Sequence, residues 1–263
     1  MTETTRLDAA HAAMEAAPDD GAARLRFYER LADGELFLML AEEAQGENLS
    51  PEVFDLSDGR FVLAFDREER LASFAGGRTV PYAALSGRAL AHLLAAQGLG
   101  LGLNLEVAPS SILIPVEAVA WLAGTLAKAP DEMQAQVAEV AAPAGLPQTL
   151  LAALDTKLAA AAGLARAAQL AAVTYVGGGR GHLLAFTGAA PGAEPALAQA
   201  VREALVFSGL EAGALDVAFL SENDPLAARL DRTALRFDLP QPVRESAARA
   251  APGSDPARPP ILR

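Results

Sequence analysis

Residues 35–41 read Glu-Leu-Phe-Leu-Met-Leu-Ala, an almost unbroken apolar run. Such a run predicts a central β-strand covered on both faces, because the side chains on each side of it would be buried. Two more strands are predicted at 53–57 and 60–65, flanking Asp58-Gly59. Asp-Gly accepts the positive φ angles of a two-residue type I′ turn, so these two strands are expected to form a hairpin. The stretch 35–65 therefore predicts the middle of a β-sheet.

The rest of the first half alternates helical and strand patterns, which gives the predicted order ααβββαβαββα. The other predicted elements are helices at 5–17, 22–32, 66–74, 86–97 and 115–127, and strands at 79–83, 99–107 and 111–114. Asp66 and Ser86 stand where side chains cap helix N-termini. Gly76-Gly77 and Gly98 stand where helices end in a left-handed residue.

The stretch 129–147 differs from its surroundings, because Pro130, Pro143, Gly145 and Pro147 interrupt it. We interpret it as a linker between two units. The second half then predicts the order αββαβαβ, with a helix at 147–168, strands at 170–176 and 182–187, a helix at 194–208, a strand at 215–220, a helix from Asp224 and a strand at 234–239. The predicted fold class is α+β, with two modules that are each a mixed β-sheet covered by helices. The predicted boundaries are a domain at 1–128, a linker at 129–147, a smaller domain at 148–240 and a Pro/Arg-containing tail at 241–263.

Charge and composition exclude several classes of partner. The chain of 263 residues carries a formal net charge of −12, whereas a nucleic-acid-binding protein needs a basic surface. Residues 1–128 hold 19 acidic and 10 basic side chains, so the first half is the more acidic. The beginning of the chain has neither the basic nor the apolar region of a signal peptide, and no apolar run is long enough to span a membrane. We therefore expect a cytoplasmic protein that binds neither nucleic acid nor membranes.

Catalytic and metal-binding patterns are weak. The chain has no cysteine, and its three histidines, His11, His92 and His182, lack the spacing of a helical metal site. The glycine-rich loop 177–181 departs from the G-x-G-x-x-G pattern and precedes a strand, so a hairpin loop is the better interpretation. Gly98, Gly100 and Gly102 are interpreted as positions of close packing. No metal ion, cofactor or catalytic residue is predicted, and the sequence favours a protein without enzymatic activity.

Asn104 is the most informative polar residue, because it stands alone in the apolar segment GLGLNLEVAP. It either faces solvent, caps the backbone, or recognises a ligand together with Arg78, Ser110 and Ser111. At the other end of the chain, a basic segment closes on Pro259, Pro260, Ile261, Leu262 and Arg263. This tail is a candidate for binding a partner, although a solvated end is the more common role of such a segment.

The order of segments resembles the SseB-like family, which is named for enhanced serine sensitivity. Phe27-Tyr28, Glu35-Leu36, Phe65 and the segment 101–105 with Asn104 match the outline of its N-terminal domain. Leu215-Asp216-Val217 and the ending 259–263 are similar to parts of its C-terminal domain. Two positions depart from the family pattern: Asp66 replaces a threonine, and Leu105 replaces a proline. The resemblance implies no established enzyme activity, and no catalytic residue is carried over from it.

Three functions follow as hypotheses. The first is a non-enzymatic binding or regulatory protein of the bacterial cytoplasm, with an unknown protein partner or as a homo-oligomer. The second is a sensor of a small molecule such as an amino acid, with a pocket near Asn104. The third is a hydrolase that uses carboxylates and a divalent ion.

Overall fold

The computed structural model describes residues 4–44, 48–128, 136–211, 214–221 and 223–241. The first module has the predicted order ααβββαβαββα. Its elements are α1 (Arg6–Ala16), α2 (Gly21–Asp33), β1 (Glu35–Met39), β2 (Val53–Leu56), β3 (Gly59–Phe65), α3 (Glu68–Ala75), β4 (Tyr82–Ser86), α4 (Gly87–Gln97), β5 (Gly100–Leu103), β6 (Ile112–Ile114) and α5 (Val116–Ala127).

The six strands form one mixed sheet in the order β4-β1-β3-β5-β6, with β2 also paired to β3. The β3–β5 pair is parallel and the other pairs are antiparallel. Since β1 lies between β4 and β3, the prediction of an interior strand is confirmed. The hairpin between β2 and β3 is also confirmed, but Leu56 pairs with Gly59, so the turn residues are Ser57 and Asp58 and Gly59 is the first residue of β3.

The two faces of this sheet are covered unequally. On one face Leu36, Leu38 and their neighbours pack against the helices in the main core of the module. On the other face Met39, Leu63 and Phe65 pack against Leu71 of α3, in a smaller cluster. A Cβ atom at Gly100 would lie 2.5 Å from the Phe61 ring, so this glycine is required by close packing.

The second module adds one strand to its predicted order. Its elements are β7 (Val137–Ala141), α6 (Gln148–Ala160), β8 (Ala167–Tyr175), β9 (Arg180–Thr187), α7 (Glu194–Phe207), β10 (Asp216–Leu220), α8 (Pro225–Leu230) and β11 (Leu235–Asp238). The sheet has the order β10-β9-β8-β11, and β7 pairs with β8 beside β11. Helices α6 and α7 cover one face through Leu154 and Leu197. Both modules are thus mixed sheets covered by helices, as the predicted α+β class requires.

Several local predictions were wrong, in most cases because a long-range contact decides the structure. The strand predicted at 99–107 ends at Leu103, since Asn104 and Glu106 adopt the left-handed conformation. Strand β7 lies inside the predicted linker 129–147, since it completes the edge of β8. The helix predicted at 147–168 ends at Ala160, because Ala167 already pairs with Thr187 in the sheet. Strand β4 begins at Tyr82 and not at Thr79, because Tyr82 is the first residue that pairs with β1. Asp66 does not cap α3, whose N-cap is Arg67, because the Asp66 carboxylate is bound elsewhere.

Candidate functional site

Asn104 follows the last residue of β5, where the chain turns sharply. Its φ angle is 49° and that of Glu106 is 63°, so two residues other than glycine adopt the left-handed conformation here. Asparagine tolerates this conformation better than most residues do, because its short side chain can bond locally. The Asn104 amide N–H donates to the Ala64 carbonyl at 3.0 Å, which fixes the turn to β3.

The Asn104 side chain points into the protein and is fully buried. Its Oδ1 accepts a hydrogen bond from the Asp66 amide at 3.0 Å, and its Nδ2 donates to Ser110 Oγ at 2.8 Å. Ser110, also fully buried, donates to Asp8 Oδ1 at 2.6 Å. Asn104 therefore caps backbone and side-chain groups inside the module.

Arg70 of α3 completes this group. Its guanidinium contacts both Asp8 oxygens, at 2.5 and 3.0 Å, and donates to Asp66 Oδ1 at 2.7 Å. The hydroxyl of Thr5 donates to the other oxygen of Asp66 at 2.7 Å. We call these six residues the Asp8–Arg70 cluster: Thr5, Asp8, Asp66, Arg70, Asn104 and Ser110.

The electrostatics of the Asp8–Arg70 cluster favour its charged form. Burial by itself would raise the pKa of Asp8, but hydrogen bonds from Arg70 and Ser110 outweigh it and hold this pKa well below its ordinary value. Burial likewise opposes the charge on Arg70, yet Asp8 and Asp66 raise the pKa of its guanidinium. Because Asp8 is paired with Arg70 and sealed from water, it is a poor base for Ser110, and the cluster anchors α1 to α3 and the 104–110 turn.

The other predicted ligand-binding residues lie outside this cluster. Ser111 is exposed, and its hydroxyl accepts a hydrogen bond from the Glu106 amide at 3.3 Å. Arg78 is exposed beyond the end of α3, and its Nε donates to the Ala75 carbonyl at 3.1 Å. The structure thus brings Asn104 and Ser110 together, while Arg78 bonds to the end of its own helix. The tail residues Pro259, Pro260, Ile261, Leu262 and Arg263 lie outside the described residues.

Sequence reasoning missed Asp8 and Arg70. A signal for Asp8 was present, because Thr5 and Asp8 have the spacing of a capping box, which the structure contains at the start of α1. No comparable local signal marks Arg70, which contacts Asp8 across 62 positions of the chain.

A second group of charges lies where the two modules meet. Lys157 of α6 donates to both Asp33 oxygens at 2.8 Å and to Glu203 at 3.1 Å. Arg88 of α4 holds the two Glu203 oxygens at 2.6 and 2.9 Å, and Glu29 lies 4.0 Å from Lys157. We call these five residues the junction cluster: Glu29, Asp33, Arg88, Lys157 and Glu203.

The carboxylates of the junction cluster differ in their surroundings. Burial opposes the charge on Glu203, but Arg88 and Lys157 outweigh it and lower its pKa. Burial raises the pKa of Glu29, and the opposing charge of Lys157 does not compensate. One oxygen of Glu29 is buried and has no hydrogen-bond partner in the structure. Glu29 is therefore the carboxylate that the cluster satisfies least.

Apolar and backbone contacts reinforce the junction. Phe207 of α7 packs into the core of the first module, with its ring 6.5 Å from that of Trp121. Gln199 donates to the Leu126 carbonyl at 2.9 Å, and Arg202 donates to the Thr125 carbonyl at 3.0 Å. These bonds satisfy carbonyl groups at the end of α5, which have no partner within the helix.

The sheet face that carries the smaller cluster, around Leu63 and Phe65, is only partly covered by α3. The strand register places five large apolar side chains that are not fully buried on this face, and three of them, Leu56, Tyr82 and Leu113, are 39–45% exposed. We call these five residues the open sheet face: Phe37, Phe54, Leu56, Tyr82 and Leu113.

Acidic side chains lie beside the open sheet face. Glu35 is on the same face of β1, and Glu106 is in the turn that follows β5. A hydrogen bond from the Tyr82 hydroxyl to Glu68 raises the pKa of this tyrosine. The surface thus combines apolar contact area with negative charge, which suits a partner with apolar and basic groups.

The glycine-rich loop of the second module is a hairpin loop, as predicted. It joins the antiparallel strands β8 and β9, and the Tyr175 amide donates to the Gly179 carbonyl at 2.8 Å. Gly177 and Gly178 have φ angles of 110° and 90°, which explains the choice of glycine. Within the described ranges, no group of three or more histidine or carboxylate side chains is placed to hold a metal ion. Likewise, no helix in the described part of the chain is long and apolar enough to cross a membrane.

Comparison with known families accounts for the first module. Residues 7–121 match the family model of the SseB protein N-terminal domain. The first module is therefore similar to the SseB protein N-terminal domain over these residues. The matched stretch contains every residue of the Asp8–Arg70 cluster except Thr5. Comparison with curated proteins and with solved structures found no match to the chain.

Proposed function

We propose that this SseB-like chain is a non-enzymatic binding protein of the bacterial cytoplasm, which docks a protein partner on the open sheet face. The observation that carries the proposal is the exposure of Leu56 on β2 and of Tyr82 and Leu113 on the two edge strands, β4 and β6, all on one face of the first sheet. Exposed apolar surface bordered by polar groups is typical of protein interaction sites. Polar residues of the first module that could react, such as Ser110 and Asp8, are instead hydrogen-bonded to each other within the Asp8–Arg70 cluster.

The charge of the surface selects the kind of partner. Glu35, Glu68 and Glu106 border the open sheet face, and the chain as a whole carries a net charge of −12. A second copy of the chain would bring the same negative charge against this border, which is unfavourable. The partner is therefore a different protein, with apolar side chains flanked by lysine or arginine.

Affinity capture with variant proteins tests this proposal. The double variant Leu56→Asp and Leu113→Asp places charge on the open sheet face, and Leu93→Asp is the matched control, since Leu93 is 41% exposed on α4. We expect the wild type and the control to retain the same partner, the double variant to lose it, and raised salt to release it. Equal retention by all three proteins would refute the proposal. A wild-type dimer that becomes monomeric in the double variant would show that the second copy is the partner.

The tail is proposed as an additional contact with an acidic part of a partner. Residues 241–263 contain four arginines and two carboxylates, so this segment is basic although the chain is acidic. Capture with the full chain and with a 1–240 truncation tests this role, and identical sets of partners would exclude it.

The amino-acid sensor with a pocket at Asn104 is a weaker proposal, because Asn104 and Ser110 are fully buried and bonded to each other. A thermal-shift titration with serine tests it, and an unchanged melting temperature would count against it.

A further inference from the structure

A groove of about 510 Å³ lies between α1, α2 and α6, away from the open sheet face. Its lining consists of small apolar side chains and three arginines, with one hydroxyl from the second module. The lining residues are Ala9, Ala10, Ala13, Ala23, Arg6, Arg26, Arg30 and Thr156. Because Thr156 belongs to α6, both modules contribute to the groove.

Two arginines of the groove, Arg26 and Arg30, keep hydrogen-bonding capacity. The carboxylate paired with Arg26 is that of Asp20, at 3.9 Å, and the one paired with Arg30 is that of Glu29, at 4.0 Å. Both distances exceed that of a hydrogen bond, and each guanidinium has five N–H donors. These donors are therefore available to a ligand at the groove.

The charge of the groove is opposite to that of the chain. Three guanidiniums line it, and no carboxylate is among its lining residues. The two carboxylates paired with them are Asp20, which is exposed, and Glu29 of α2, which is buried. A local positive region in an acidic protein attracts small anions and orients them.

We propose that this groove binds a small organic anion. Carboxylate or phosphate oxygens of the ligand pair with Arg26, Arg30 and Arg6, since the planar guanidinium matches both groups. The carbon skeleton of the ligand contacts the alanines, whose small side chains leave the groove open. Its volume lies in the range of small-molecule sites. The chain's own tail is a poor occupant, because its four arginines would face the three of the groove.

Titration of the full chain with glutarate and with glycerol phosphate tests the site and distinguishes a carboxylate ligand from a phosphate ligand. Amide chemical shifts are recorded at constant ionic strength, with sodium chloride as the third titrant. We expect saturable shifts at Ala9, Ala13 and Ala23 with at least one organic anion and none with chloride. Lack of saturation with both organic anions at about 20 mM would overturn the proposal, since affinity weaker than this is not specific recognition.

Paired variants locate the site. Arg26→Gln combined with Arg30→Gln should weaken binding about tenfold or more, whereas Arg24→Gln, an exposed arginine of the same helix outside the groove, should leave it unchanged. Ala13→Leu keeps every charge and fills the groove, and Ala12→Leu is its exposed control on α1. Equal loss in the Arg24 variant, or full binding by the Ala13 variant, would overturn the proposal. Because the open sheet face is untouched, partner capture by these variants remains a separate measurement.

Discussion

The Asp8–Arg70 cluster and the junction cluster both bury charged side chains, but they satisfy them differently. In the first, the two carboxylates share Arg70 and accept further hydrogen bonds from Ser110 and Thr5. In the second, three carboxylates face Lys157 and Arg88, and one oxygen of Glu29 accepts no hydrogen bond. Each cluster holds one more carboxylate than it holds cations, so the two differ in bonding and not in net charge. In the first, the buried group without a hydrogen-bond partner is a donor, Arg70 Nε, whereas in the second it is an acceptor oxygen of Glu29.

The pKa shifts of individual carboxylates in the two clusters predict two opposite responses to pH. The pKa of Asp8 and that of Glu203 are lowered in the folded protein, so the stability they add is present above their ordinary pKa and is lost as pH falls through the lowered value. The pKa of Glu29 is raised, so its charge destabilises the folded protein at neutral pH, and protonation in mild acid removes that cost. Substitutions in the two clusters can separate these effects.

Arg70→Met should give the largest effect, because it leaves Asp8 and Asp66 without their shared cation. Breaking a buried ion pair in this way costs about 3–5 kcal/mol of unfolding free energy. Arg78→Met is the control at an exposed arginine and should cost less than about 1 kcal/mol. Urea unfolding followed by circular dichroism measures both, and a loss for Arg70→Met no larger than for the control would contradict the proposed anchor.

Lys157→Met should weaken the junction by about 2–4 kcal/mol, since Glu203, Asp33 and Glu29 would then share only the half-exposed Arg88. We expect the Lys157→Met variant to be cleaved earlier between the modules in limited proteolysis and to unfold in two transitions in place of one. Lys128→Met is the control at the other lysine of the chain, which is exposed. Unchanged cleavage of the Lys157 variant would show that apolar contacts such as Phe207 hold the modules without the cluster.

Ser110→Ala should cost about 1–3 kcal/mol, because Asp8 loses a donor and Asn104 loses an acceptor inside the core. Ser111→Ala should cost less than about 0.5 kcal/mol, because Ser111 is exposed. Equal unfolding free energies for the two variants would indicate that the buried hydroxyl adds nothing to the anchor.

Glu29→Gln should give the smallest effect and the opposite sign. Removing the poorly satisfied charge stabilises the protein by about 1 kcal/mol near pH 8, and the gain shrinks as pH falls, because wild-type Glu29 then becomes protonated. Glu15→Gln, at an exposed position of α1, is the control and should be neutral at every pH. Unfolding free energies at several pH values measure the difference, and a loss of stability at pH 8 would show that Glu29 contributes favourably to the junction.

Most of the fold was predictable, because its signals are local. The apolar run 35–41, the hairpin signal at Asp58-Gly59 and the left-handed caps Gly76 and Gly98 all act within a few residues. Strand β7 was not predictable, because a short alternating segment becomes a strand only where it can pair with the edge of another strand, here β8. Asn104 was found in the sequence by its polarity, but its partners Asp66 and Ser110 depend on how β3, β5 and α3 meet.

The sequence by itself determined the order of elements in the first module, its SseB-like character and the acidity of the chain. Periodicity, turn residues and charge are properties of neighbouring residues, so they can be read before folding. Only the tertiary structure decided that Asp8 meets Arg70 across 62 positions and that Lys157 meets Asp33 across 124. Such pairs form because burial forces each charge to find a partner from another element, and no local pattern specifies which partner it is.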